Sequence, residues 1–343
     1  MKDDTQSLDE VVVVAYGTAR KGDLTGALTT MRPDANEAAK AVCIDNLLEG
    51  KVAGLVVSTA SSNPGAASSI TIRGASSLRG DNQPLYVIDG VPMLNIGTEQ
   101  AYSAIGGTAN AGNRDGGDGI SNLNPEDVES ISILKGAPAA ALYGSQAANG
   151  VILITTKKGS SDKLKITFST TNSIQTRTKL ADMLSYDQFV NTIRTQGTTA
   201  QQSLLGTAHT DWNDEIYQNA FGTDNNLSIS GKIAKNWPFR ISVGYYNQSG
   251  LLRTDNAERY TGSIMVTPSF FKDHLKLNIN AKGSINNNTF GNTNAIWAAS
   301  TMNPTIPVYS GLDTFGGYTE AIDNTGAPAN GAVMNPVGLI KMN

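Results

Sequence analysis

The stretch that decides the fold is ESISILKGAPAAALYGSQAANGVILITTKKG, residues 129–159. Its two apolar runs, at 130–134 and 151–156, are rich in Ile and Val and bounded by glycines, a pattern typical of buried strands. The alanine-rich stretch at 139–143 predicts one short helix between them. Just upstream, Asn124 and the following Pro-Glu-Asp have the composition of a helix start. The segment therefore predicts short helices alternating with short strands.

The same mixed pattern extends from about Lys40 to Lys158. Residues 44–48 predict a helical turn or two that ends at Gly50. PLYVIDGVP, residues 84–92, reads as a buried strand closed by the Asp89-Gly90 turn. Residues 94–122 form a Gly/Asn/Ala-rich stretch without periodicity, and structureless stretches of that length inside a compact domain are usually functional.

From Leu164 onward the sequence changes to long alternating strands. In FRISVGYY, residues 239–246, apolar side chains alternate with polar or small ones, and LKLNINAKG, residues 275–283, repeats the alternation. The links between these strands are alternately short and long, and one long link, SYDQFVNTIR, predicts a helix. Short turns at one end and long loops at the other are typical of an outer-membrane barrel. Alternation alone would also suit a soluble sandwich with one wet face.

The alternation also predicts which side chains face outward. In a barrel the apolar face meets lipid and the polar face meets the lumen. We expect an outward set of Phe239, Ile241, Val243, Leu275, Leu277 and Ile279, and a lumen-facing set of Arg240, Lys276 and Asn278.

Composition excludes several function classes. The chain has 343 residues and a formal net charge of -4 without a basic stripe, so nucleic-acid binding is not expected. The single cysteine, Cys43, can form neither an internal disulfide nor a Cys-rich zinc site. No Walker A sequence, G-x-S-x-G elbow or H-E-x-x-H pattern is present. We therefore expect no catalytic residue, no cofactor and no metal site.

Several segments, taken in order, resemble the start of a SusC/RagA-type TonB-dependent outer-membrane transporter. The resemblance covers about residues 8–290. It is carried by LDEVVVVAYGT, LLEGKVAGLVV, ITIRGASSL, PLYVIDGVP and the opening stretch quoted above. The ordered series is specific, whereas each segment alone would be a weak signal.

The resemblance implies an α+β plug domain followed by antiparallel transmembrane β-barrel strands. We expect a TonB-box segment at 1–21, the plug domain at 22–160 and the N-terminal part of the barrel at 161–343. About five barrel strands are expected here, whereas barrels of this class close with roughly 22 strands. The chain is therefore expected to be an N-terminal portion of the transporter.

The run of four valines at 11–14, which we call the valine run, resembles the TonB box. The TonB box is the segment that pairs as an added strand with the energy-coupling protein TonB. Strand addition uses main-chain hydrogen bonds, and a β-branched run suits it. The alternative is that the run is the first strand of the plug sheet. The resemblance assigns TonB binding to Asp9, Glu10, Val11, Val12, Val13, Val14, Ala15 and Tyr16.

Two further sets of residues follow from the resemblance. Arg73, in IRGAS, matches an arginine that ties the plug to the barrel wall, and Glu129 and Lys135 occupy charged positions of the next motif. Lysine replaces arginine at position 135, and it lacks the two-pronged geometry of a guanidinium. A substrate-facing loop is expected to include Asn95, Tyr102, Asn113, Arg114, Asp115 and Asp118.

The function implied by the resemblance is TonB-dependent import of an oligosaccharide or peptide nutrient, with the plug gating the barrel lumen. The implied partners are TonB with ExbB and ExbD, a SusD-like surface lipoprotein and outer-membrane lipid. The implied location is the outer membrane of a Gram-negative bacterium, with plug and TonB box toward the periplasm. The alternative is a non-transporting β-rich binding or adhesion module.

Overall fold

The computed structural model describes residues 11–14, 17–20, 27–41, 43–59, 64–65, 68–74, 82–93, 123–136, 143–159, 163–180, 182–233, 237–272, 274–311, 313–321 and 333–342. The chain divides into two compact units. Unit 1 contains residues 1–172, 223–247 and 258–287, and unit 2 contains residues 173–222, 248–257 and 288–343.

The strands of the described residues are, in chain order, β1 (Val11–Val14), β2 (Gly17–Arg20), β3 (Ala27–Met31), β4 (Leu55–Thr59), β5 (Ser68–Ile72), β6 (Leu85–Ile88), β7 (Val91–Met93), β8 (Val128–Lys135), β9 (Val151–Thr156), β10 (Lys165–Gln175), β11 (Ala220–Ile233), β12 (Trp237–Ser249), β13 (Asn256–Val266), β14 (Ser269–Phe270), β15 (Leu275–Lys276) and β16 (Ile279–Thr289).

The α-helices of the described residues are Ala35–Lys40, Ile44–Leu48, Tyr186–Gln196, Thr199–Ser203, Trp212–Ile216, Asn294–Thr301 and Pro336–Lys341, and the 3-10 helices are Pro125–Asp127, Gly144–Ala147 and Thr314–Gly317. Among these helices, none has the length and apolar character needed to cross a bilayer.

A five-stranded mixed sheet forms the centre of the first half of the chain, in the order β3-β8-β9-β6-β7. We call it the plug sheet, and residues 27–159 around it the plug. Strands β8 and β9 pair antiparallel, with Ile133 opposite Ile152, whereas β6 and β9 run parallel. These are the two apolar runs of the opening stretch, so the predicted strands are confirmed.

Aliphatic side chains cover both faces of the plug sheet. One cluster joins Ile133 and Ile152 of the sheet to Ile44 and Leu48 of a short helix. The other includes Val87, Leu134, Val151 and Leu153. Burying one such side chain stabilises the fold by about 1.5–3 kcal/mol. The plug therefore has an apolar core of its own.

A second five-stranded sheet, which we call the wall sheet, has the order β10-β11-β12-β13-β16. Its neighbouring strands β11 and β12 are joined by only three residues, 234–236, which requires antiparallel pairing. Five strands are the number expected, and the fold class of a plug followed by antiparallel barrel strands is confirmed.

The wall sheet is apolar on one face and polar on the other. Ile241 and Val243 of β12 are exposed, while Arg240 and Ser242 between them turn to the opposite, inward face. On β12, Ile241 and Val243 thus lie on the side opposite Arg240, as predicted, whereas Phe239 is half-buried and contact with lipid stays a prediction. Further apolar side chains are exposed along the other strands of the wall sheet, namely Ile166, Phe168, Ile174, Phe221, Leu227, Ile264, Ile279 and Ile285.

One predicted strand boundary is wrong. The stretch 275–283 does not form one strand, because Leu275–Lys276 folds back as β15 against β14. The Leu277 amide then donates to the Pro268 carbonyl at 3.0 Å, which closes the hairpin before β16 begins at Ile279.

Unit 2 has a separate small core. Trp212 and Ile216 of one helix pack with Ala295 and Ala299 of another and with Val337 of a third. The predicted helix at SYDQFVNTIR is confirmed as Tyr186–Gln196, begun by a capping box at Ser185.

Candidate functional site

The plug meets the inward face of the wall sheet through a polar seam in unit 1. We define the seam by two plug carboxylates and their wall partners, Asp89, Asp127, Arg240, Ser242 and Lys282. Each of the two carboxylates lies at the end of a short plug element, and each cation lies on a wall strand.

Asp89 is placed by the tight turn between β6 and β7. Both central residues of this turn have positive φ, 49° at Asp89 and 88° at Gly90, which is why an Asp-Gly pair suits it. The turn directs the carboxylate toward β9, where the Thr156 amide and hydroxyl donate to it at 2.9 and 2.7 Å.

Two donors from the wall strand β16 complete the surroundings of Asp89. Asn280 Nδ2 donates at 3.0 Å, and Lys282 Nζ forms an ion pair with the same carboxylate oxygen. Burial by itself raises the pKa of Asp89, but the hydrogen bonds from Lys282 and Thr156 outweigh burial. The pKa of Asp89 therefore lies below the ordinary aspartate value of 3.8.

Asp127 ends the 3-10 helix that Asn124 and Pro125 begin, as the sequence predicts. Arg240 Nη2 donates to its Oδ1 at 3.0 Å, and the Ser242 hydroxyl donates to its Oδ2 at 2.7 Å. The side chains of Arg240 and Asp127 are only 13% and 9% exposed. A charge pair so well shielded is costly to break by removing one partner.

Two further hydrogen bonds lie beside Asp127, one within the plug and one between the plug and the wall sheet. Lys157 Nζ donates to the Glu126 carbonyl at 2.8 Å, and Ser169 of the wall strand β10 donates to the Glu126 carboxylate at 2.6 Å. Burial lowers the pKa of Lys157, and the positive charge of Arg240 lowers it further. The plug is thus held to the wall sheet by charges, hydroxyls and amides.

The contacts of the seam attach the plug to the wall sheet. The seam carboxylates accept hydrogen bonds from cations and hydroxyls, and water can replace each of these donors when the seam opens. In the part of the chain that the structure describes, no group of three or more His, Cys, Asp or Glu side chains is placed to hold a metal ion.

Half of the proposed TonB-binding residues can be located. Val11–Val14 form β1, which pairs antiparallel with β2 in a two-stranded sheet, with Val12 opposite Ala19. Strand β1 is not a member of the plug sheet. Asp9, Glu10, Ala15 and Tyr16 lie outside the described residues, so the TonB box stays a prediction.

The three predicted lock residues lie on the plug. Arg73 is exposed with φ 62°, and its amide donates to the Gly54 carbonyl at 2.7 Å. Glu129 is exposed on β8, whereas Lys135 is buried and donates to the Ala53 carbonyl at 2.6 Å. Within the described ranges no ion pair joins these residues to the wall sheet, and their role as a lock stays a prediction.

The predicted substrate-facing loop falls outside the described residues altogether. This holds for Asn95, Tyr102, Asn113, Arg114, Asp115 and Asp118.

The roles of the two seam carboxylates were not predicted. From the sequence, Asp89 was expected in a turn and Asp127 in a helix start, each without a partner. A signal was nevertheless present, because Arg240 and Lys282 are cations within strands whose opposite face is apolar. A cation on the inward face needs an anion from whatever packs there.

Comparison with known proteins agrees with this architecture. The family model described as TonB-dependent Receptor Plug Domain matches residues 20–151. The TonB-dependent receptor SusC of Bacteroides thetaiotaomicron is 41% identical over 330 residues, which is 95% of this chain and 31% of that protein. The TonB-dependent receptor P26 of Formosa agariphila is 32% identical, over 96% of this chain and 31% of that protein.

Solved structures show the same fold. The RagAB peptide importer in its open-open state matches with a TM-score of 0.66 and 24% identity, over 96% of this chain and 38% of that chain. The ferric citrate transporter FecA matches with a TM-score of 0.52 and 15% identity, over 82% of this chain and 34% of that chain. The chain thus spans about a third of the length of the curated relatives it matches first.

Proposed function

The chain belongs to the SusC/RagA type of TonB-dependent receptors, and from this premise we propose that it is the N-terminal part of an outer-membrane nutrient importer. In this proposal residues 1–21 carry the TonB box, residues 22–160 form the plug domain and residues 161–343 begin the barrel. The plug gates the barrel lumen and has no catalytic role.

The observation that carries the proposal is the polar seam. In a soluble sandwich the apolar face of a sheet packs inward and the polar face meets water. The wall sheet does the reverse, because it presents Ile241 and Val243 outward and holds the plug with Arg240 and Ser242. An apolar outer surface around a polar interior is the arrangement of a barrel in lipid. It disfavours the binding or adhesion module.

TonB, energised by ExbB and ExbD, is the proposed partner of the valine run. Strand β1 is short, β-branched and paired with β2 on one side. A strand added along its other edge would be held by main-chain hydrogen bonds. The support for this role is the composition and position of the run together with the family membership.

The proposed cargo is an oligosaccharide or peptide, delivered beneath a SusD-like surface lipoprotein. One structural relative is the RagAB peptide importer. The proposed location is the outer membrane, with plug and TonB box toward the periplasm. The proposed substrate contacts are the loop residues from Asn95 to Asp118, and the proposed lock includes Arg73, Glu129 and Lys135.

The test is a proline in the valine run. Across a two-residue connection with Val14 opposite Gly17, the Val12 and Val14 amides donate to β2, and the Val13 amide points to the other edge. Val13→Pro therefore removes a donor from the edge to which TonB would be added. Val13→Ile keeps β-propensity and serves as the matched control. The proline variant should still reach the outer membrane and bind its nutrient, while energised uptake of the labelled nutrient falls to background. The isoleucine variant should take it up normally.

Two outcomes would contradict the proposal. Unfolding of the plug in the Val13→Pro variant, seen as loss of protease resistance, would make β1 a structural strand. Recovery of the protein as a soluble monomer after native export, without detergent, would favour the adhesion module instead.

A further inference from the structure

A cavity of about 600 Å³ lies beside the polar seam, within unit 1. Its plug side is formed by the β6–β7 turn, β7 and the start of the 3-10 helix at Asn124. Its wall side is formed by the inward face of β13 and by the stretch from Asn278 into β16. Cavities between about 300 and 1,000 Å³ are large enough to hold a small-molecule ligand.

The wall side of the cavity carries hydrogen-bonding groups that are not used by the protein. Thr261, Asn278 and Ser284 all line it. Across the described ranges, none of the three side chains has a hydrogen-bond partner. Together they offer two hydroxyls and a carboxamide, groups that both donate and accept.

The charged groups at the cavity, by contrast, are already neutralised. Asp89 is paired with Lys282, and Asp127 is paired with Arg240. Among the described residues that line the cavity, a charged ligand would find no unpaired counter-charge to compensate its desolvation. The cavity therefore selects for neutral ligands.

The plug side adds a small apolar surface. Val91 and Met93 of β7 line the cavity and remain 61% and 39% exposed. The cavity thus has hydroxyl and amide groups on the wall-sheet side and aliphatic groups on the plug side. This pairing matches a pyranose ring, which has hydroxyls at its edge and C–H groups on its faces. A short peptide of similar size carries two terminal charges, which the cavity does not complement.

We propose that this cavity is a binding site for a neutral sugar of one or two rings on the flank of the plug. Its use during import rests on the proposed function, but binding itself does not. Among the described residues no aromatic ring lines the cavity, so binding relies on hydrogen bonds and is weak. Weak binding suits a transient site along an import route, because the transported molecule must also dissociate from it.

The experiment measures binding of cellobiose and of trehalose to the detergent-purified protein by saturation-transfer NMR. We expect a dissociation constant on the order of 1 mM for at least one of the two sugars. The zwitterionic peptide Ala-Ala-Ala, tested in the same way, should bind at least about tenfold more weakly.

Three variants locate the sugar. Ser284→Trp fills the cavity from β16 and should abolish binding. Asn278→Ala removes the carboxamide and should weaken binding about threefold to tenfold, as expected for one hydrogen bond. Asn287→Ala is the matched control, because Asn287 donates to Glu258 and is not among the residues lining the cavity. It should bind as the unaltered protein does.

Sugar binding that survives Ser284→Trp, in a variant with an unchanged circular dichroism spectrum, would overturn the proposal. So would absence of binding by both sugars, or tighter binding of Ala-Ala-Ala. Uptake in cells is a separate readout. If the cells fail to take up the nutrient while sugar binding is intact and depends on Ser284, the import function is refuted and the sugar site in the cavity is retained.

Discussion

The interior of the plug and its seam with the wall sheet are built from different chemistry. Inside the plug, Ile133 and Ile152 are fully buried and touch other aliphatic side chains. At the seam, Asp89 and Asp127 meet lysine, arginine, serine and asparagine. An apolar core that opens leaves surface that water solvates poorly, whereas a polar seam that opens exchanges its partners for water.

The contrast between core and seam explains how the plug can stay folded and still separate from the wall sheet. The aliphatic core keeps the plug folded as a body, and the polar seam determines where the plug parts from the wall. A force applied to the plug is therefore expected to open the seam before the core.

The largest effect should come from the core. Ile152→Ala removes a fully buried side chain from the centre of the plug sheet and should lower the free energy of unfolding by about 2–5 kcal/mol. Urea denaturation followed by circular dichroism measures the change. Val56→Ala is the control, because Val56 is 58% exposed on β4 and its loss should cost less than about 0.5 kcal/mol. Equal losses for both variants would refute an aliphatic core at Ile152.

A smaller effect is expected from one seam carboxylate. Asp127→Asn leaves Arg240 shielded without its anion, and should weaken the seam by about 2 kcal/mol. The plug core is untouched, so protease sites at the plug surface should become accessible while the β8 and β9 amides stay protected from hydrogen exchange. The control is Asp182→Asn, since the Asp182 pair with Lys179 is almost fully exposed. Loss of protection in β8 would show that the seam and core are not separable.

The smallest effect is a pH dependence at Asp89. The pKa of Asp89 is lowered in the folded protein, so its contribution is fully present above 3.8 and is lost as pH falls below that value. The urea midpoint of the unaltered protein should fall more steeply below pH 4 than that of Asp89→Asn. Asparagine tolerates positive φ, so this variant keeps the turn. Parallel curves for the two proteins would show that Asp89 does not contribute through its charge.

The local parts of the fold could be predicted from the sequence. Strands β8 and β9, the helix at Tyr186 and the inward position of Arg240 each follow from a pattern within about ten residues. These patterns report directly on burial and capping, which act over that distance.

The pairing of the seam could not be predicted, because it joins residues far apart in sequence. Asp127 and Arg240 are separated by 113 positions, and Asp89 and Lys282 by 193. Each residue alone is unremarkable as a turn aspartate or a strand cation. Only the packing of the plug on the inward face of the wall sheet brings them together. The strand break at Leu277 was missed for a different reason, since the alternation of apolar and polar residues continues through it.

The Asp89-Gly90 turn also restricts how this part of the protein can vary among relatives. Its carboxylate accepts from the Thr156 amide and hydroxyl, Asn280 and Lys282, and its backbone has positive φ. Asparagine can keep the backbone but leaves Lys282 without an anion, and glutamate keeps the charge but suits the turn poorly. We therefore expect positions 89 and 282 to covary among relatives, because a change at either is tolerated best when the other changes with it.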